Sequence, residues 1–186
     1  MEEAPLQLSE AVTISVERMI RFCYLAQMTL ELGERRSEND GAASFPSLPE
    51  HLTRFGMLLT MTCSFLYSLF ERRSDSTNLL RIWTDFEHPF RQELEDIAER
   101  LGPFMGDLYR VRSRYDFHGS LTQDHQAAGF GIFQDPQFRE LCQIIHAMKQ
   151  LAVNMVMWFM RHGPAEVAAC IPAFRAELLG PEGDVQ

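Results

Sequence analysis

The stretch from Phe55 to Phe70 constrains the fold more than any other part of the chain. Phe55, Leu58, Leu59, Thr62, Phe65, Leu66, Leu69 and Phe70 recur at steps of three and four. That is the period of one helix face, not the two-residue alternation of a half-buried strand. Pro49 stands where a first helical turn tolerates it, and the polar run ERRSDSTN after Phe70 stops the pattern. A helix with one apolar face must be covered by others, and the chain supplies them. Val12, Val16, Met19, Ile20, Cys23 and Leu30 repeat the period after a Ser9 N-cap, up to Gly33. Phe90, Leu94, Ile97, Leu101, Phe104, Met105, Leu108 and Val111 repeat it from about Pro89 to His118. Leu141, Ile144, Ile145, Met148, Leu151, Met155, Trp158 and Phe159 do so from Asp135-Pro136, read as an N-cap and first position, to Arg161.

The expected fold is therefore all-α: an up-and-down four-helix bundle, with a short extra C-terminal helix over about 165–178 and a polar tail. With 186 residues the chain reads as a single helical domain. Residues 34–49, rich in Gly, Ser and Pro, read as a mobile loop between the first two helices. Gly102-Pro103 predicts a kink or break in the third helix. SLTQDHQAAGFGIFQDP reads as a long connection with a turn or short hairpin at Gly129 and Gly131.

Composition agrees with helices and narrows the function. Phe (14) and Met (10) are frequent and Val is sparse, which favours helix over sheet. A formal net charge of -9 excludes a general nucleic-acid coat, which needs a broad positive surface, but leaves room for a small cationic site. Cys23, Cys63, Cys142 and Cys170 are far apart, form no C-x-x-C and sit among apolar residues. They read as buried free thiols, with no disulfide and no zinc. The acidic start MEEAPLQLSEAV lacks the basic region of a secretory signal. The apolar segment 55–70 is short for a membrane span of ~20 residues, and 141–160 carries His146, Lys149 and Asn154. These features predict a cytoplasmic protein with no membrane association.

Within this acidic chain, RVRSRYDFHGS at 110–120 stands out. On a helix, Arg110, Arg114 and His118 share a face, whereas Arg112 projects roughly 160° from Arg114. At a helix C-terminus the macrodipole favours cations by ~0.3–1 kcal/mol each, so these residues can simply dress a helix end before Gly119. Alternatively they meet a phosphate. Both readings stand on the residues alone.

The pattern also resembles a known motif. Arg112-Ser113, four intervening residues and His118 are similar to the R-polar-x4-H motif of the HEPN family (higher eukaryotes and prokaryotes nucleotide-binding). There the motif lies at the end of the third long helix of an up-and-down bundle. FLYSLFERRSDSTNLLRIW resembles the second helix and following segment of the family's abortive-infection branch, and the resemblance spans about 55–160. It implies a metal-independent endoribonuclease, without cofactor, whose homodimer brings two motifs into one composite site. Arg112 would stabilise charge on the scissile phosphate, and His118 would be general acid or base at the 2′-hydroxyl or leaving oxygen. Ser113 holds the polar position, where Asn is commoner. Arg114 would be an auxiliary phosphate contact, and Tyr115 would stack on a base or pack. The implied partners are RNA (tRNA or mRNA) and an antitoxin protein, the implied setting a toxin–antitoxin or phage-defence system. The alternative is a HEPN-like bundle that binds nucleotide or protein without catalysis. An Arg112 ion pair to an acid of its own chain, with His118 buried, would favour that alternative. Exposure of both across a cleft would favour the nuclease. Under a third reading the helices have no nucleic-acid role at all.

Other polar groups are weaker. His118, His125, Asp116 and Asp124 fit no standard metal-ligand spacing, and Asp116 reads as a surface salt-bridge partner. Asp85, Glu87 and His88 read as an acidic helix start, with Asp85 a weak cap. His146 reads as a satisfied bundle histidine. GFG at 129–131 lacks the lysine and Ser/Thr of a phosphate loop. Met155, Met157 and Met160 read as core or dimer seam, and Arg72 and Arg73 as a solvated helix end.

Overall fold

A computed structural model describes residues 8–38, 48–72, 78–82, 88–115 and 136–179. Among them the chain is entirely helical in its regular structure. The helices are α1 (Leu8–Glu38), α2 (Leu48–Phe70), the single turn α3 (Leu79–Ile82), α4 (Arg91–Leu101), α5 (Met105–Tyr115), α6 (Gln137–His162) and α7 (Ala165–Leu179). One 3-10 turn, Gly102–Phe104, joins α4 to α5. This is the interruption expected at Gly102-Pro103: Pro103 has no N–H to continue the ladder, and the tighter turn keeps Phe104 buried.

The boundaries differ from the periodicity in places. Helix α1 takes in Ser9 and runs past Gly33 to Glu38, so Ser9 is not its cap and residues 34–38 of the expected loop are helical. A glycine inside a helix costs only ~1 kcal/mol relative to alanine, too little to end a helix of 31 residues. Helix α2 starts at Leu48, with Pro49 in its first turn. Residues 39–47 lie outside the described residues. Pro136 is itself the cap of α6, in helical backbone and accepting from Glu140 N–H at 3.3 Å, rather than its first residue. Asp85, Asp135, Gly119 and the segment with Gly129 and Gly131 lie outside the described residues.

The long helices bury most of the stripe that their period marks, but Cys23, Leu30, Phe55, Leu58, Phe65 and Trp158 are only half-buried, while Phe22, Ala26, Cys63, Ala152 and Val156, outside those stripes, are buried. From α1 the buried residues are Val12, Val16, Met19, Ile20, Phe22 and Ala26, and from α2 Leu59, Cys63, Leu66, Leu69 and Phe70. Leu94, Ile97, Leu101, Phe104, Leu108 and Val111 continue across the α4–α5 break. Helix α6 contributes nine residues from Leu141 to Phe159, and α7 contributes Val167 and Ile171. Helix α1 packs on α2, α6 and α7; α2 packs on α5, α4 on α6, and α6 on α7. Buried hydroxyls on the α1–α2 seam find partners: Thr29 and Thr62 lie 2.9 Å apart, each also within reach of a carbonyl one turn back, so one hydroxyl donates to the other, which in turn donates to its own carbonyl.

Asn78 joins α2 to α3. Its amide donates to the carbonyls of Glu71 (3.0 Å) and Phe70 (3.4 Å), and its Oδ1 accepts from Leu80 N–H at 2.8 Å. One buried side chain thus closes the end of α2 and caps α3, which fixes the backbone of Glu71. No helix among the described residues is long and apolar enough to cross a membrane.

Candidate functional site

Where α2 and α5 pack, their last turns place four side chains together. Tyr67 and Glu71 are four residues apart at the end of α2, and Tyr109 and Arg112 are three apart on α5, so each pair shares one helix face. Arg112 Nη1 donates to Glu71 Oε2 at 2.6 Å. The Arg112 guanidinium carbon lies 5.4 Å from the centre of the Tyr67 ring, in cation–π range. The Tyr67 and Tyr109 rings are 5.8 Å apart, tilted by 48°.

The ion pair is lopsided. The Glu71 side chain is 10% exposed, whereas that of Arg112 is 40% exposed. Glu71 is therefore the anchored partner, held from below by Asn78, and Arg112 is the one that reaches solvent. The contact uses a single terminal nitrogen. Among the described residues the rest of the guanidinium fork has no carboxylate on it, so Arg112 keeps donors for a second anion.

A second cation comes from α1. Burial pushes the Arg18 guanidinium below its ordinary value, and the nearby Arg112 charge adds to this, while Glu71 and Glu17 act against it. Two arginines thus share the field of one carboxylate. Arg21 pairs with Glu17 at 2.8 Å beside them. The local balance of Arg18, Arg21 and Arg112 against Glu17 and Glu71 is positive, in a chain whose formal charge is -9.

The structure separates the expected site residues. Arg112 joins Glu71 and Tyr67, as described. Ser113, Arg114 and Tyr115 form the last turn of α5, and their side chains lie outside the described residues. His118 lies outside them as well, together with Asp116, Asp124 and His125. Arg110 is turned elsewhere, paired with Asp107 of its own helix at 2.8 Å. Of the weaker candidates, His88 accepts the Phe90 N–H at 3.1 Å and stacks on its ring, a local turn before α4. His146 is exposed on α6, which corrects its reading as a bundle histidine: it lies three residues after exposed Gln143 and four before exposed Gln150, on the solvent stripe. Met155 is core, but Met157 and Met160 are exposed. Arg72 is exposed, as a helix end predicts.

Glu71, Tyr67, Tyr109 and Arg18 were not singled out by the sequence reading. Glu71 opens the run ERRSDS, where it reads as one more solvated charge. The available signal was the matched spacing of Tyr67 with Glu71 and of Tyr109 with Arg112, legible only once α2 and α5 are known to touch. The cysteines are free: Cys63 is buried and the other three are partly so. Burial pushes the thiols of Cys23 and Cys63 up to about 12 and that of Cys142 upward too, so these three are not ready nucleophiles. Among the described residues no three His, Cys, Asp or Glu side chains gather to hold a metal ion.

Comparison with known proteins gives no match: no family model, no curated protein and no solved structure resembles the chain closely enough to name a relative.

Proposed function

We propose that the chain is a metal-independent endoribonuclease of the HEPN type, with Arg112 as its phosphate-binding residue. The observation that carries this reading is the exposure of Arg112: its side chain is 40% exposed, with a single nitrogen on Glu71 and its guanidinium over the Tyr67 ring. An arginine oriented before its anion arrives loses less entropy on binding than a free surface arginine. The helix neighbours are compatible with an up-and-down four-helix bundle of α1, α2, α4–α5 and α6, with α7 packed on α1 and α6.

In the proposed reaction the 2′-hydroxyl of RNA attacks the adjacent phosphorus and the 5′-oxygen leaves. The product is a 2′,3′-cyclic phosphate. His118 removes the 2′-proton or protonates the leaving oxygen, and Arg112 holds the phosphate as its charge rises. Two protomers compose one site, with Ser113 and Arg114 beside the phosphate and Tyr115 at its margin. The acidic remainder of the chain keeps the enzyme from coating RNA. A toxin or phage-defence role, restrained by an antitoxin protein in the cytoplasm, follows from the same reading.

One observation favours a second reading. Glu71 already pairs with Arg112 inside the chain, the contact expected of a bundle that binds nucleotide or protein without cutting. Cleavage of total RNA in EDTA separates the two. The nuclease reading expects cutting by the parent and none by an Arg112→Ala/His118→Ala variant of equal dimer content. Silence from both across a range of salt overturns it in favour of the binding bundle. Equal cutting by both places the activity elsewhere.

A further inference from the structure

Helix α2 carries no charged residue between Arg54 and the Glu71 that follows it, and α1 carries none between Arg21 and Glu31. A helical stretch without charge belongs where water is excluded on every side. Yet Met28, Met57 and Met61 of this helix pair are 51%, 62% and 42% exposed. The two helices run antiparallel: Thr29 meets Thr62 at 2.9 Å, and Arg18, early in α1, lies in the field of Glu71, just past the end of α2. In that register Leu25, Met28 and Leu32 stand level with Phe65, Met61 and Leu58, each set at steps of three and four along one helix stripe. Both leucine pairs' members and Phe65 are half-buried, and the methionines stand above them. The six side chains form an apolar strip along the seam, on the side away from buried Met19 and Leu59. Tyr67, the ring under Arg112, stands about 120° round α2 from Met61, so this is not the face that holds Arg112.

Charge decides what covers the strip. A nucleic acid or an anionic lipid surface needs cations along its track, and the strip has none between its ends. Its ends are balanced: exposed Glu31 and Arg54 at one, the Arg21–Glu17 pair at the other. The face as a whole is neutral and so complementary to itself. Two copies of a chain with a formal charge of -9 repel over most of their surfaces, and least across this face. Area agrees. The uncharged stretch 55–70 is about 24 Å long and two helices are about 20 Å wide, so a pair of such faces buries on the order of 1,000 Å². That is about the least a specific interface needs, and it suits reversible, micromolar association. Flexible methionine side chains fill the irregular gaps of such a contact.

We infer that the outer face of the α1–α2 pair is a self-association surface, on which a second copy of this chain packs its own α1–α2 pair. This seam is independent of the phosphate-binding role of Arg112 and separate from any contact that joins two Arg112 turns. Where both contacts form, the assembly is a tetramer.

Sedimentation velocity of the full chain over a concentration series tests this, with Met28→Glu, Met61→Glu and a control, Met157→Glu, at a position of α6 that is 44% exposed. All three side chains reach solvent, and thermal melting confirms that each variant is folded. The parent associates reversibly and more tightly as salt rises, because salt screens the repulsion of two acidic chains and leaves the apolar seam intact. Met28→Glu and Met61→Glu raise the dissociation constant about 10- to 100-fold and halve the mass, since each places a carboxylate in the seam. Met157→Glu matches the parent. A parent that stays monomeric at every concentration overturns the inference and leaves the strip to a different protein. Parental association in both seam variants also overturns it, because the copies then meet elsewhere. So does equal loss in Met157→Glu, or a Met61-sensitive step that salt weakens.

Discussion

If Glu71 holds Arg112 in place, the two must be energetically coupled, and a double-mutant cycle of Glu71→Gln and Arg112→Ala measures by how much. The structure sets the scale. Exposed ion pairs contribute about 0.2–1 kcal/mol, and breaking a fully buried one costs about 3–5 kcal/mol. Here one side chain is 10% exposed and the other 40%, at 2.6 Å through one nitrogen. Solvent on the arginine side screens the attraction, so the coupling belongs between these limits, at about 1–2 kcal/mol. Arg112→Ala alone leaves the carboxylate beside Arg18, which limits the penalty to a similar size. For a chain of 186 residues that is a fall of about 2–8 °C in Tm. Chemical denaturation of the four proteins at low ionic strength yields the coupling directly. Repetition in 1 M salt, where the Debye length is about 3 Å, reduces it only in part, because Glu71 is shielded. A coupling under about 0.5 kcal/mol that vanishes in salt would refute the reasoning: Arg112 would be an ordinary surface arginine, and the preorganised phosphate contact would have no basis.

Further expectations can be checked with the same equipment. Leu66→Ala, at a fully buried position of α2, lowers unfolding free energy by about 2–5 kcal/mol in a denaturant titration. Gly163→Ala is destabilising, by about 1–3 kcal/mol, because its Cβ would stand 2.5 Å from the Phe159 ring and 2.7 Å from the Phe159 carbonyl oxygen. Gly56→Ala, inside α2 with open space around it, raises stability by about 0.4–1 kcal/mol; the same sign at both glycines would contradict the packing at the end of α6. The thiols of Cys23 and Cys63, raised from 9.0 to about 12, hold on the order of a thousandfold less thiolate at pH 8 than in the unfolded chain, so a disulfide reagent modifies them far faster in denaturant. Their folded values lie above their unfolded ones, so the stability they lend is intact below pH 9 and declines from there to about 12, by up to about 1.4 kcal/mol per thiol per pH unit. Cys63→Ala flattens part of that slope in alkaline unfolding curves, and an unchanged slope would contradict the burial of Cys63.

The helices were legible because each carries its own evidence. The period through Phe55–Phe70, with Pro49 before it and a polar run after it, defines α2 to within a residue, and Gly102-Pro103 marks the break between α4 and α5. Where local signals were weak the reading strayed. Gly33 suggested an end that a long helix overran, and the single turn α3 has too few residues for any period to show. His146 was misjudged because its sequence neighbours are apolar, although its place on the helix circumference is not.

The chain alone determined helices through the described residues, most of the residues that face their core, and the cationic turn at 110–114 inside an acidic protein. Those follow from spacing and charge, which are local properties of the sequence. Only the tertiary structure decided that Arg112 leaves its neighbours and meets Glu71, 41 residues away, while Arg110 turns to Asp107. It also placed Arg18 and the two tyrosines around that meeting. The physical reason is that the pairing of α2 with α5 is set by how all the apolar stripes close together. A carboxylate in a polar run and a tyrosine on a helix surface carry no sign of a partner until that closure brings their faces into contact.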